Sequence, residues 1–206
     1  MAGASHSDNL DAMRQDALNA ADRISLEELR KSGRQTARER IAMLLDPDSF
    51  VEVDSFVQHR SGEFNMHLHR PYGDGVVAGH GKIDGRRVVC FAQDYAVFDG
   101  TMGEMHARKI AKVAEFAEKS QLPLVGIWDG DGQRVQDGVP ALGATGELLD
   151  ILVACSGRIP TFSIILGTVA GVSALAAGLS DFVILSDDHG QMFMRSPYFI
   201  PCLLYT

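Results

Sequence analysis

The chain lacks most of the features that would assign it quickly. Its 206 residues hold three cysteines, Cys90, Cys155 and Cys202, and no C-x-x-C pair. An odd, scattered set argues against a disulfide framework or a four-cysteine zinc ribbon and fits a reducing, cytoplasmic setting. The segment from Met1 to Ala20 has no apolar core of a signal peptide. The longest apolar stretches, near Ile151–Cys155 and Phe162–Leu166, fall far short of a membrane span. Positive charge is also scarce. The formal net charge of −8 argues against general nucleic-acid binding, which depends on Lys and Arg neutralising phosphates. A local basic patch for a phosphorylated ligand stays open.

Several catalytic signatures are missing too. No G-x-x-x-x-G-K-[ST] run exists, which excludes P-loop chemistry. Gly130-x-Gly132 has no third glycine of a dinucleotide fingerprint. His67-x-His69 has no third ligand at useful spacing, so no metal site is expected. Ser173 stands in Gly-Val-Ser-Ala-Leu, without the last glycine of a nucleophile elbow.

What is present reads as a soluble α/β protein. Hydrophobic residues make up 46% and charged residues 22%, ordinary for a globular chain, and the length suits one domain (31–206) behind an N-terminal arm (1–30). Residues 1–8 are small and polar and read as disordered. Asn9 to Lys31 reads as helical. Thr36 is a cap for a helix from Ala37 to Leu45, with Glu39 in its first turn, and Asp46-Pro47-Asp48 stops it. Ser49 to Val53 is a short strand, and Gln58 to Arg70 a polar loop. A Gly-rich strand region, Gly73 to Gly85, turns at Asp84-Gly85 into a strand from Arg87 to Gln93. A helix from Gly103 to Ser120 follows. The rest alternates: strand Leu124–Trp128, helix Ala141–Cys155, strand Thr161–Leu166, helix Val169–Gly178, strand Asp181–Ser186 and strand Gln191–Arg195. This alternation predicts parallel strands joined by helical crossovers, with ligands at the strands' carboxyl ends. The loops to watch are therefore Asp129–Gly138 and Gly167–Ser173.

In the second of these, an apolar strand enters a small-residue turn and then a helix. Free amides at a helix start bind anions, and the N–H groups of Gly171 and Val172, beside Ala170, are candidates to hold a thioester oxygen as an enolate forms. The plain alternative is a tight turn that merely needs small residues. In the first loop, Gly130 and Gly132 allow a ligand near the backbone, while Arg134 either meets a ligand or anchors the loop. Arg38 and Arg40, on the early helix, suit a phosphate-rich ligand or form an ordinary ion-paired face.

The ordered motifs carry a resemblance. Gly33-Arg34-Gln35-Thr36-Ala37-Arg38-Glu39-Arg40-Ile41, Leu44-Leu45-Asp46-Pro47-Asp48-Ser49-Phe50-Val51-Glu52, Arg70-Pro71-Tyr72-Gly73-Asp74-Gly75-Val76-Val77, Gln93-Asp94-Tyr95-Ala96-Val97-Phe98, Gly103-Glu104 with Lys109-Ile110, Gly130 through Gly138, and Ala170-Gly171 with Ser180-Asp181-Phe182 together resemble the carboxyltransferase (β) subunits of propionyl-CoA and related acyl-CoA carboxylases. The likeness runs over about residues 30 to 195. It implies a crotonase-like (ClpP/crotonase) fold and only the N-terminal, acyl-CoA-binding half of the family's chain, without the second carboxyltransferase domain.

The resemblance also implies a chemistry. Biotin, as carboxybiotin on a separate carrier, delivers carbon dioxide. Its ureido nitrogen takes the α-proton of a coenzyme A thioester, and backbone N–H groups hold the enolate oxygen. The implied partners are acyl-CoA, a biotin carboxylase and biotin carrier, and a separate C-terminal carboxyltransferase half, in a cytoplasmic oligomer without nucleic acid or membrane. Two departures stand out. The family's Gly-Gly is Gly171-Val172 here, where the valine is expected to narrow the pocket. The family's Ser-Gly-Gly-Ala is Gly130-Asp131-Gly132-Gln133, which adds a negative charge beside an anionic ligand. The last apolar run, Tyr198 to Tyr205, does not follow the family and is expected either to pack on a partner or to mark a truncated product. Alternative readings are a non-catalytic CoA-binding or assembly subunit, and a crotonase-fold decarboxylase or hydrolase. The hydrolase would use Ser173 with His106 or His189 as its base.

Overall fold

A computed structural model describes residues 6–21 and 23–195. The polar N-terminus up to Ser5 and the apolar run from Tyr198 to Tyr205 lie outside the described residues. The elements are α1 (His6–Leu18), α2 (Arg23–Lys31), α3 (Ala37–Leu44), β1 (Val51–Glu52), β2 (Val76–Ile83), β3 (Arg86–Gln93), α4 (Glu104–Ser120), β4 (Leu124–Gly130), α5 (Gly138–Cys155), β5 (Thr161–Ala170), α6 (Val172–Gly178), β6 (Phe182–Leu185) and β7 (Gln191–Phe193). One mixed sheet runs β1-β2-β3-β4-β5-β6. The first three strands are antiparallel, and β3 through β6 are parallel. β7 runs parallel to β5 beyond the end of β6, on the side opposite β4.

Local chemistry explains the clearest elements. Thr36 caps α3 in a full capping box: its hydroxyl accepts from the Glu39 amide, and the Glu39 carboxylate accepts from the Thr36 amide at 2.8 Å. The β2–β3 hairpin turns on Asp84 and Gly85, both at positive φ (49° and 75°), as a type I′ turn requires. The Asp46 carboxylate holds that turn by accepting from both of its amides, at 2.9 and 2.8 Å. The N-terminal segment is two helices, α1 and α2, rather than one; residues 19–21 are non-helical.

The sheet has two unequal faces. On one, α4, α5 and α6 bury Val76, Val89, Phe91, Trp128 and Ile165 against Ile110, Val113, Leu148 and Ala174. On the other, among the described residues only α3 covers the strands, packing Ala37, Ile41 and Leu45 on Val77, Val88, Cys90 and Ile127. Past α3 this face is an open apolar groove of about 630 Å³, lined by Leu44, Ile83, Val125, Phe162, Ile164 and Ile184. All four residues of β6 are exposed.

α5 is longer and more apolar than its sequence segments promised. By length and composition, residues Val135–Cys155 meet the requirement for a membrane span. Ala141, Ala144, Thr145, Leu148, Leu152 and Cys155 are nevertheless buried, and the helix packs on α4, which is how the core helix of a globular domain behaves.

Candidate functional site: two loops at the carboxyl ends of the parallel strands

β4 is buried along its whole length and ends at Asp129 and Gly130. The Asp129 side chain is fully buried and lies between two guanidinium groups, Arg34 and Arg40, the latter at 2.7 Å. The Asp129 amide donates to Gln93 Oε1 at 3.1 Å. Room for this cluster comes from β5. Between Ile165 and Val169 that strand bulges against β4, and a Cβ on Gly167 would collide with both the Asp129 carboxylate and Arg34. Arg34 also lies over the Tyr95 ring at 4.2 Å.

The loop after β4 is tied down residue by residue. Gly130 passes so close to Gly100 that neither has space for a Cβ. The Met102 amide donates to Gly132 O at 2.7 Å, and the Arg134 amide to Met102 O at 2.9 Å. Gln133, where the resemblance has alanine, donates to Met102 O and accepts from Thr145 Oγ1 at 3.1 Å.

Arg134 is the centre of this anchoring. It is 2% exposed. It binds Asp74 Oδ1 at 2.5 Å, donates to Thr101 O at 3.0 Å and stacks over Phe98 at 4.5 Å. Asp74 and Asp137, its two carboxylate neighbours, share a second task. Asp137 Oδ2 accepts from the Glu104 amide and Asp74 Oδ2 from the His106 amide, both at 2.9 Å. Gly103, the residue before α4, has no side-chain cap, so these two carboxylates satisfy its first-turn donors instead. The Gly73-Asp74-Gly75 turn, all at positive φ, is what carries Asp74 beneath the helix. Burial raises the Asp74 carboxyl above its usual range despite the arginine, and burial pushes the His106 imidazole down to about 3. His106 takes part through Asp74 O (3.0 Å) and the Gln93 amide nitrogen (3.2 Å).

The expected ligand contacts of Arg40 and Arg134 thus give way to structural ones, because both guanidiniums are buried on carboxylates. Arg38 is half-buried. It pairs with Glu52 at 2.7 and 3.2 Å and donates to Ala17 O at 3.0 Å. Arg38 also lines a cavity of about 280 Å³ between the α1–α2 segment and the turn after Tyr72. Gly130 serves a backbone crossing.

Gly132 and Ala170 do meet. Gly132 is at φ 97°, and a Cβ there would sit 3.2 Å from Ala170 O. Here the structure departs from the expected helix start at Val169: β5 continues through Ala170, and α6 opens at Val172. Gly171 makes the turn at φ 60°, ψ −127°, a region where glycine has no steric penalty. Its amide donates to Phe193 O at 2.9 Å, so it belongs to the β7 ladder. Val172 opens the helix, where amides have no intrahelical partner. Its side chain packs against the core cluster. Neither the 280 Å³ cavity nor the 630 Å³ groove is lined by residues 170–172.

Ser173 is fully buried, and its hydroxyl has no hydrogen-bond partner among the described residues. His106 spends both ring nitrogens elsewhere, and His189 is exposed. The serine-and-base pair of a hydrolase is not assembled. His67 and His69 are exposed, and the His69 ring packs edge-on to Phe98.

The sequence motifs found these loops, but the roles of Asp74, Asp129 and Asp137 were missed. Asp74 and Asp129 face arginines 60 and 95 positions away, which leaves no local pattern beyond the two glycines around Asp74. Asp137 stands three residues from Arg134, but nothing in that spacing announces its bond to the Glu104 amide.

Comparison with known proteins places the chain. The carboxyl transferase domain family matches residues 28–204. The biotin-dependent acetyl-/propionyl-coenzyme A carboxylase beta5 subunit of Mycobacterium tuberculosis is 46% identical over 184 residues, covering 89% of this chain and 34% of that protein. Methylmalonyl-CoA decarboxylase subunit alpha of Veillonella parvula is 44% identical over 172 residues, 84% of this chain and 34% of that one. The transcarboxylase 12S structure with methylmalonyl-coenzyme A and methylmalonic acid bound superposes with a TM-score of 0.91 at 33% identity, covering 100% of this chain and 41% of that one. The fold is therefore the expected crotonase-like carboxyltransferase fold. The chain spans about a third of the length of the curated relatives it matches.

Proposed function

Because the chain belongs to the carboxyl transferase domain family, we propose that it forms the acyl-CoA-binding part of the carboxyltransferase in a biotin-dependent acyl-CoA carboxylase. Carboxybiotin, on a separate carrier, supplies the carboxyl group. The chain's own part is to hold the thioester and stabilise the oxygen that becomes negative as the α-proton leaves. The observation that carries this reading is the meeting of Gly132 with Ala170 at the opening of α6. It brings two stretches of bare backbone together at the carboxyl ends of parallel strands, where ligands of α/β sheets bind.

Within that arrangement the Val172 amide is the oxyanion donor, while the Gly171 amide holds β7 in register. Arg40 and Arg134 are positioning residues for the loops on either side. Arg38 meets coenzyme A phosphate only if it releases Glu52. A separate C-terminal carboxyltransferase half would complete the acyl site in a cytoplasmic oligomer.

Val172→Pro tests this directly. Proline at the first helical position keeps the helix and removes only the N–H. With biotin carboxylase, biotin carrier and a C-terminal half supplied, propionyl-CoA carboxylation should fall about 10²–10³-fold with little change in melting temperature. An unchanged rate would refute the assignment. A non-catalytic CoA-binding or assembly subunit would instead bind CoA equally well in both proteins and show no carboxylation in either. A decarboxylase would share the amide but act on the carboxylated thioester.

A further inference from the structure

We infer that the chain carries a second anion site, remote from the acyl loops: a pocket beside the β2–β3 hairpin that takes the phosphate of a small phosphate monoester and rests its flat body on an aromatic ring.

The pocket has a volume of about 460 Å³, and its polar lining is His80, Lys82, Arg87 and the hydroxyls of Ser49 and Ser120. Among the described residues no carboxylate lines it. Lys82 and Arg87 are direct cross-strand partners in the hairpin, and like charges placed opposite one another destabilise a sheet. His80 stands two residues from Lys82 on β2, hence on the same face. Neither Lys82 nor Arg87 makes an ion pair among the described residues. In a chain with a net charge of −8, two adjoining cations without a carboxylate are an exception.

The end of α4, which lines the pocket with Phe116 and Ser120, does not supply the missing charge. Free carbonyls at a helix C-terminus attract cations. Here Glu118 O and Ala117 O already accept from the amides of Gln121 and Leu122, at 3.2 and 2.9 Å. The nearby carboxylates of Glu115 and Glu118 are paired with Lys119 and Arg158, at 2.6 and 2.7 Å. An incoming phosphate does supply it. Arg87 offers a planar fork to two phosphate oxygens, and Lys82 a point charge. Ser49 Oγ accepts from the Lys82 amide at 3.1 Å, which leaves its own proton for a third contact. The Phe116 ring is 44% exposed and set against His80 with centroids 5.7 Å apart, a platform for a flat body. Arg87 precedes Gln93, the last residue of β3, by about 20 Å of strand. The pocket therefore lies at the opposite end of the sheet from Gly132 and Ala170, and the inference does not depend on the acyl-CoA reading.

Isothermal titration of the full chain at fixed ionic strength, with inorganic phosphate, AMP and adenosine as probes, tests it. One phosphate should bind per chain, AMP about tenfold more tightly than phosphate, and adenosine at least about tenfold more weakly than AMP. Lys82→Glu sets a carboxylate opposite Arg87. It should weaken phosphate and AMP more than about tenfold and raise the melting temperature, because a repelling pair becomes an attracting one. Arg87→Ser should give the same loss of binding without that pair. Phe116→Ala should bring AMP down to the affinity of phosphate and leave phosphate unchanged. Absence of saturable binding by phosphate and AMP would overturn the inference. Unchanged binding in Lys82→Glu and Arg87→Ser would do the same, by putting the anion on other cations. A lower melting temperature in Lys82→Glu would also overturn it, since Lys82 would then already have a carboxylate partner.

Discussion

The loop after β4 and the turn after β5 lie at the same end of the sheet and touch through Gly132 and Ala170, yet they are built on opposite plans. The first is fastened by buried charge: Asp129 between Arg34 and Arg40, and Arg134 between Asp74 and Asp137. The second contains no charged side chain from Gly167 to Leu179, and one backbone bond to Phe193 holds its bend. The difference separates a loop pinned by buried charge from a turn built of backbone. Arg134 is spent on Asp74 and Asp137, which also cap α4. In the turn after β5 the Gly171 amide is bound to Phe193 O, which leaves the Val172 amide as the proposed donor.

Removing charge from the first loop should do the most damage. Arg134→Met leaves Asp74 buried with its main cation gone, and breaking a buried pair from one side costs about 3–5 kcal/mol. Urea unfolding should report a loss of that size. Adding Asp74→Asn should restore part of it, since the stranded charge is then gone. If Arg134→Met costs less than about 1 kcal/mol, in the range of an exposed pair, the loop is not held by this cluster.

Much of the fold was readable from local pattern. The α3 capping box and the Asp84-Gly85 hairpin rest on residues a few positions apart and stand where expected, and the alternation from β4 onward keeps its expected order, although α5 opens three residues early at Gly138. The shifts at β5 and α6 share one cause. β5 extends to Ala170 because β7 pairs with Thr168–Ala170, and no local signal announces a strand partner twenty residues ahead. Small residues there suited a helix equally well. Of the two loops singled out in the sequence, the backbone contact is what the structure shows: Gly132 lies against Ala170 O. Arg40 and Arg134 do not reach the surface, because their partners Asp129 and Asp74 lie 89 and 60 positions away. Ligand-facing and buried arginines look alike in a sequence.

A smaller effect should come from the end of the same network. His106 is buried and neutral, with its imidazole held down to about 3 by burial, whereas in the unfolded chain it takes a proton near 6.5. The unfolded state therefore binds more protons between those two values. The histidine's stabilising contribution is full above about 6.5 and is lost as the pH falls toward 3. His106→Asn can still donate to Asp74 O but abandons the Gln93 contact, for a cost of about 1–3 kcal/mol at pH 7. Its deficit against the unsubstituted chain should shrink steadily in unfolding experiments from pH 6.5 to pH 4. A constant deficit would mean that His106 is not neutral in the folded protein.

The smallest change belongs to the second loop and should have the opposite sign. Ser173 follows the proposed donor amide, is fully buried, and leaves its hydroxyl without a partner among the described residues. An unsatisfied buried hydroxyl is a cost that alanine does not carry, and alanine is also the better helix former. Ser173→Ala should therefore raise stability by about 0.5–1 kcal/mol, read as a higher urea midpoint with an unchanged slope. It should leave carboxylation intact, since the neighbouring amide is untouched. A destabilised variant would show that the hydroxyl has found a partner and that this turn, like the first loop, is held by side-chain polarity. A loss of thioester hydrolysis would instead restore Ser173 to the chemistry, against the commitment of His106 to Asp74 and Gln93.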